Sequence, residues 1–251
     1  MQKVDYNTIS KIYDDVRQSD LAIVERFIAE TSLGGEFKAL DIGCGTGNYT
    51  DLFQKLTGAT VYGVEPSAGM LRQAHQKNDQ ITFCQGRADA IPFDDCIFDF
   101  VFMTDVIHHV PDIDAMFAEI RRILKPSGKL CISTQSHAQI VARPIAAFFP
   151  ATVRVDQGRY PDIPEILAAA RPHAFGFIKD EILFAGQETL LDQNYLELVW
   201  KKGYSMLHLI SAAEYQAGLT ALKTALREGP FYLKAAGETL LWLKKAKKSR
   251  S

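Results

Sequence analysis

The chain has 251 residues, 47% hydrophobic and 23% charged, enough to bury a full core in one ample domain and too apolar for a disordered chain. Its net charge of −2 provides no broad basic field, which argues against a nucleic-acid partner and favours a small-molecule substrate. The charged opening "MQKVDYNTISKIYDDVRQ" has no apolar signal core, and no stretch reaches the roughly 18 apolar residues of a spanning helix, so a cytoplasmic protein with no membrane partner is expected.

Apolar periodicity first predicts two helices, at 8–17 and 20–30. "FKALDIG" reads as a strand, and 48–56 as a helix with Tyr49, Leu52, Phe53 and Leu56 on one face, stopped by Thr57-Gly58. "TVYGVEP" is the second strand, Ser67 can cap a helix carrying Met70, Leu71 and Ala74 inward, and "ITFCQG" and "FDFVFMTDV" are strands three and four. Asp112 caps a helix whose Ile113, Met116, Phe117, Ile120 and Leu124 form one stripe until "KPSG" ends it, and "KLCISTQ" follows as strand five. This alternation predicts an α/β fold, a mostly parallel sheet with helices on both faces and a ligand beyond the carboxyl ends of its strands.

From 136 to 175 five prolines and mixed apolar clusters break the rhythm, a stretch too long for a routine connection and read as a cover. "FIKDEILF" resumes as a strand, a helix is expected at 189–202, and Ser211 with Glu214 forms a capping-box pattern before a helix presenting Tyr215, Leu219, Leu222 and Leu226. "ETLLWLKKA" supplies the seventh strand. Cys44, Cys84, Cys96 and Cys131 lack a C-x-x-C pair and read as buried thiols, and His137 and His208 are isolated, so no metal is implied.

The chemistry centres on "ALDIGCGTGNYT", between the first strand and its helix. After Gly43 and Gly45 the third glycine stands at Gly47, out of register for the G-x-G-x-x-G of dinucleotide binding, and no G-K-[ST] closes a phosphate loop. Glycines there let backbone approach a ligand or adopt turns closed to other residues. Glu65, 24 residues after Asp41, ends the second strand, where a carboxylate can accept two ribose hydroxyl protons.

"LDIGCGTG", Glu65, "GRADAIPFDDCIFDFVFMTDVIHHV" and "RRILKPSGKL", in that order over residues 36–135, resemble the Rossmann-like class I S-adenosylmethionine-dependent methyltransferases, in particular their type 11 small-molecule group. The resemblance implies S-adenosyl-L-methionine as cofactor and a single domain over 1–251: cap helices in 1–32, a cofactor-binding half in 33–135, and substrate cover in 136–175 and 186–230. It places Gly43, Gly45 and Gly47 against the methionine part, Asp41 near the loop and the amino group, and Glu65 on the ribose. Where family members have "GDAxxLPF", "GRADAIPF" puts Arg87 at the aspartate position, so adenine falls to the backbone at Ala88 or to the displaced Asp89. Thr104 and Asp105 occupy the cofactor-facing rim.

His109, His108 and Asp105 are the candidate proton-handling residues, Asp105 and His109 being close enough to pair if the segment is helical. Tyr13 matches an N-terminal tyrosine common in the group. Arg143, Arg159 and Tyr160, among apolar residues of the insert, suit a carboxylate or phosphate on the methyl acceptor. The implied reaction is methyl transfer to an O, N or S atom of a small, anionic metabolite; an NAD-dependent oxidoreductase and a non-catalytic adenosylmethionine-binding partner protein are the alternatives.

Overall fold

The computed structural model describes residues 19–246, so the helix expected at 8–17, and Tyr13 with it, lies outside the described residues. In chain order the elements are α1 (Leu21–Glu30), β1 (Lys38–Ile42), α2 (Asn48–Thr57), β2 (Thr60–Glu65), α3 (Ala68–Lys77), β3 (Thr82–Gln85), β4 (Phe98–Thr104), α4 (Ile113–Ile123) and β5 (Leu124–Thr134). They continue with α5 (His137–Ala142), α6 (Ala151–Gln157), α7 (Ile163–Ala170), β6 (Phe175–Leu183), β7 (Glu188–Leu191), α8 (Gln193–Trp200), α9 (Ala212–Ala225), β8 (Phe231–Lys234) and β9 (Glu238–Lys245). The chain divides into two compact units. Among the described residues, one holds those up to Thr134, Ile163–Glu181 and those from Leu240 on; the other holds Gln135–Asp162 and Ile182–Thr239.

The first unit is built on a seven-stranded sheet of order β3-β2-β1-β4-β5-β9-β6. β1 runs parallel to β2 and β4, β2 to β3, and β4 to β5, so the ends of β1 to β5 share one carboxyl edge, and the order reverses direction at β1 and β4. Alternation sorts the side chains of β4. Phe100 and Phe102 meet Phe27 of α1 and Phe53 of α2 at centroid distances of 5.0 to 6.0 Å, with Trp242 of β9 stacked on Phe100. Val101 and Met103 enter the opposite core with Met116, Phe117 and Ile120 of α4 and Ile166 and Ala170 of α7. A register shift between Phe98 and Phe100 lets Phe98 join Tyr62 and Phe93 instead. Ser67 and Asp112 cap their helices as expected, accepting from the N–H groups of Met70 and Ala115.

Boundaries in both units differ from the sequence reading. α4 ends at Ile123 and Leu124 already pairs with Phe98, so "KPSG" lies inside β5. The insert is helical, and its second half, α7, packs in the sheet unit through the fully buried Ile166.

In the second unit, Ser136 and Gln139 form a capping box on α5, and Ser211 and Glu214 form the expected one on α9. The helix expected from 189 starts only at Gln193. Thr189 to Leu191 pair antiparallel with β8, a strand not predicted, and Asp192 caps α8 by accepting from the Tyr195 N–H. Phe149, Leu191, Val199, Leu207 and Leu222 form this unit's core.

Candidate functional site

β1 leaves the sheet through the glycine loop. The Gly43 and Cys44 N–H groups both donate to the Val64 carbonyl, at 2.7 and 3.1 Å, and the Gly47 N–H closes the turn on the Cys44 carbonyl at 2.8 Å. Gly43 (φ 71°) and Gly47 (φ 79°) are left-handed, and a Cβ would stand 2.5 Å from Val106 Cγ2 at the first and 3.0 Å from Phe83 Cζ at the second. These two glycines therefore answer first to the chain's own turn and packing. Gly45 instead turns its N–H to Glu65 Oε2 at 3.1 Å.

Glu65 is 8% exposed at the end of β2, and its other oxygen accepts the Ser67 N–H at 2.9 Å. Burial holds its carboxyl above the usual range while the two backbone N–H groups pull it down. Each oxygen accepts one backbone bond and keeps acceptor capacity for a second donor. Asp41 is also buried, and its Oδ2 accepts from the Thr50 hydroxyl of α2 at 2.7 Å. Desolvation pushes its carboxyl up to about 8, opposed by the Thr50 hydrogen bond and aided by the nearby Glu65 charge. Buried Cys44 is pushed well up in the same way, which keeps it a thiol.

After β3, Arg87 bridges to Ala90, and its guanidinium forks onto Asp89 at 2.8 and 2.5 Å. The family position taken by Arg87 is thus tied to the displaced aspartate, whose carboxyl it holds low through that hydrogen bond. Ala88 is half-buried between them. At the end of β4, Thr104 Oγ1 is buried without a hydrogen-bond partner among the described residues. Asp105 is left-handed (φ 58°) and its N–H donates to the Ser133 carbonyl. Residues Ile107–His109 form a 3-10 turn, with the His108 and His109 rings 3.9 Å apart. The helical spacing expected between Asp105 and His109 is therefore not the local geometry.

In the second unit, Arg143 and Arg159 both turn onto Asp156, a carboxylate with no exposed surface. Arg159 reaches Asp156 Oδ1 through Nε at 3.1 Å and also bonds Ser205 Oγ, while Arg143 adds Gln135 Oε1. Both guanidiniums lie over the Tyr160 ring, at 5.2 and 5.9 Å from its centroid. The sequence reading missed Asp156, whose only local signal is its position three residues before Arg159, and Thr50, nine residues after Asp41. His137 and His208 bond the carbonyls of Tyr160 and Lys202.

Asp41, the glycine loop, Glu65, Ala88, Asp89 and Thr104 thus belong to one carboxyl edge. The partnerless Thr104 hydroxyl and the open acceptor sites of Glu65 fit a ligand with hydroxyl and amino donors, such as the adenosyl and methionyl parts of the cofactor.

Residues 40–132 match the family model described as a methyltransferase domain. The demethylmenaquinone methyltransferase of Staphylococcus aureus is 30% identical over 157 residues, 57% of this chain and 64% of that protein. Among solved structures, a methyltransferase from an antibiotic biosynthesis pathway of Anabaena variabilis superposes with a TM-score of 0.72 at 21% identity, covering 90% of this chain and 98% of that one. The phosphoethanolamine N-methyltransferase 2 of Haemonchus contortus, complexed with phosphomonomethylethanolamine and S-adenosylhomocysteine, gives 0.60 at 20% identity over 98% of this chain and 61% of that one. The chain spans between 26% and 64% of the length of the first curated relatives it matches. No helix among the described residues is long and apolar enough to cross a membrane.

Proposed function

We propose that the chain is a class I S-adenosylmethionine-dependent methyltransferase that transfers a methyl group to an O, N or S atom of a small metabolite, a reading supported by the methyltransferase-domain match over residues 40–132 and by the demethylmenaquinone methyltransferase relative. The observation that carries this reading is Glu65. A buried carboxylate at the end of β2, fixed by the N–H groups of Gly45 and Ser67, is placed to accept both hydroxyls of a ribose without reorganising.

The cofactor, when bound, supplies a methyl group already activated on a sulfonium. The protein's part is to bind, orient and exclude water. Gly43, Gly45 and Gly47 would carry the loop along the methionyl part, Asp41 would hold its amino group, the Ala88 backbone and Asp89 would hold the adenine, and the Thr104 hydroxyl would offer a further hydrogen bond. Exposed His109, beside His108 and Asp105, takes the acceptor's proton where the acceptor is a hydroxyl or an ammonium.

Arg143 and Arg159 enter as holders of Asp156 and Tyr160 rather than as a direct grip on an anion, since both guanidiniums already engage Asp156. Tyr160, 6% exposed under both arginines, is the side chain they fix. The test is incubation with methyl-labelled S-adenosylmethionine and fractionated metabolite extract, with mass identification of the labelled product. A labelled small molecule is expected. Cofactor binding with no labelled product in any fraction would favour a non-catalytic binder.

A further inference from the structure

The segment between β3 and β4 is fastened at both ends. At its start the Gly86 N–H donates to the Glu65 carbonyl at 3.3 Å, and a Cβ on Gly86 would meet Pro92 Cδ at 2.8 Å. At its far end one side-chain pair on the last turns of α4 takes hold of the backbone. Glu119 Oε2 accepts the Ile91 N–H at 2.9 Å, and Arg122 donates through Nη2 to the Ile91 carbonyl at 2.9 Å and through Nη1 to the Phe93 carbonyl at 2.7 Å. Arg122 also binds Glu119 through Nε and Nη2, both at 2.8 Å, and Asp95 through Nη1 at 2.9 Å.

A guanidinium has five N–H donors in a fixed plane, and those five bonds account for all of them. Three of the six bonds in this network go to main chain. A pair that is 31% and 22% exposed adds little as an ion pair alone. Its distinctive property is geometric, because a planar fork defines where residues 91 and 93 lie relative to α4. Residues 87–90, which include Ala88 and Asp89, are thereby suspended between the Glu65 main chain and this fork.

We propose that Glu119 and Arg122 are positioning residues for adenine recognition: they fix residues 87–90 at the height above Glu65 from which main chain and Asp89 read the edge of the base. This rests on the cofactor reading above. Neither residue touches the cofactor in it; both act through the backbone they hold.

The test measures binding of S-adenosylhomocysteine, and of its analogue with hypoxanthine in place of adenine, by titration calorimetry on the full chain. Arg122→Lys keeps the charge and loses the fork. The wild type is expected to prefer the adenine compound. In Arg122→Lys the adenine compound should weaken by about 10-fold or more, the scale of a lost hydrogen bond to a charged group, and the analogue by much less, so that the preference collapses. Glu119→Gln, which removes the charge opposite the fork, should move the preference the same way, and it decides the matter if Arg122→Lys does not fold. Folded variants that keep the wild-type ratio, whether both ligands weaken together or neither does, would overturn the positioning role alone. A wild type that binds neither compound would overturn the cofactor reading and this proposal with it.

Discussion

Asp41 and Glu65 are two carboxyls buried on neighbouring strands, and burial raises both. The value near 8 for Asp41 compares with about 3.9 in an unfolded chain, so the folded state holds this proton more tightly. Its contribution to stability is therefore complete below about pH 4 and is lost as pH rises through about 8. The ligand-free wild type should melt at lower temperature as pH climbs across that window, and Asp41→Asn, neutral throughout, should lessen the fall, with Glu65 contributing the remainder. Melting curves of the two proteins with the same pH slope would remove Asp41 as its source. At Asp156, breaking a buried ion pair costs about 3–5 kcal/mol. Arg143→Gln should accordingly lower the urea midpoint, and it should penalise a charged acceptor and its neutral analogue alike. A penalty confined to the charged acceptor would restore the direct grip on an anion.

Asp192→Ala reports on an element boundary. The strand β7 stops at Leu191 and α8 starts at Gln193 under the Asp192 side chain, so removing the cap should cost about 1 kcal/mol in urea unfolding. An unchanged midpoint would mean that the helix begins earlier. The sequence reading placed its start at 189; the partner that makes Thr189 to Leu191 a strand is β8, whose Phe231 pairs with Leu191. Pairing across such a separation leaves no local trace. "KPSG" misled for a related reason, since a turn-like tetrapeptide is carried inside β5 by its register shift against β4. The first five strands and the caps at Ser67, Asp112 and Ser211 were legible because alternation, helical stripes and capping residues are local signals. Of the site, the order of Asp41, the glycines and Glu65 could be read directly. The turn of Arg143 and Arg159 onto Asp156 could not, because it depends on which residues the fold buries.

At the scale of the whole chain, the sheet unit was readable as a continuous βα series, whereas the second unit was not. Its described residues come from two separate stretches, with α7 and most of β6 between them returning to the sheet unit, so a single pass meets what looks like one long interrupted cover. Each unit has its own apolar core, and the proposed cofactor residues all lie in the sheet unit. The central claim is that this carboxyl edge binds the adenosyl cofactor through Glu65. It is tested most directly by calorimetric titration of S-adenosylhomocysteine into the wild type and into Glu65→Ala. We predict saturable binding to the wild type and affinity lower by about 10-fold or more in the variant, the effect of losing charged hydrogen bonds to the ribose. Binding of NADH but not of S-adenosylhomocysteine, or equal affinities in wild type and folded Glu65→Ala, would contradict it.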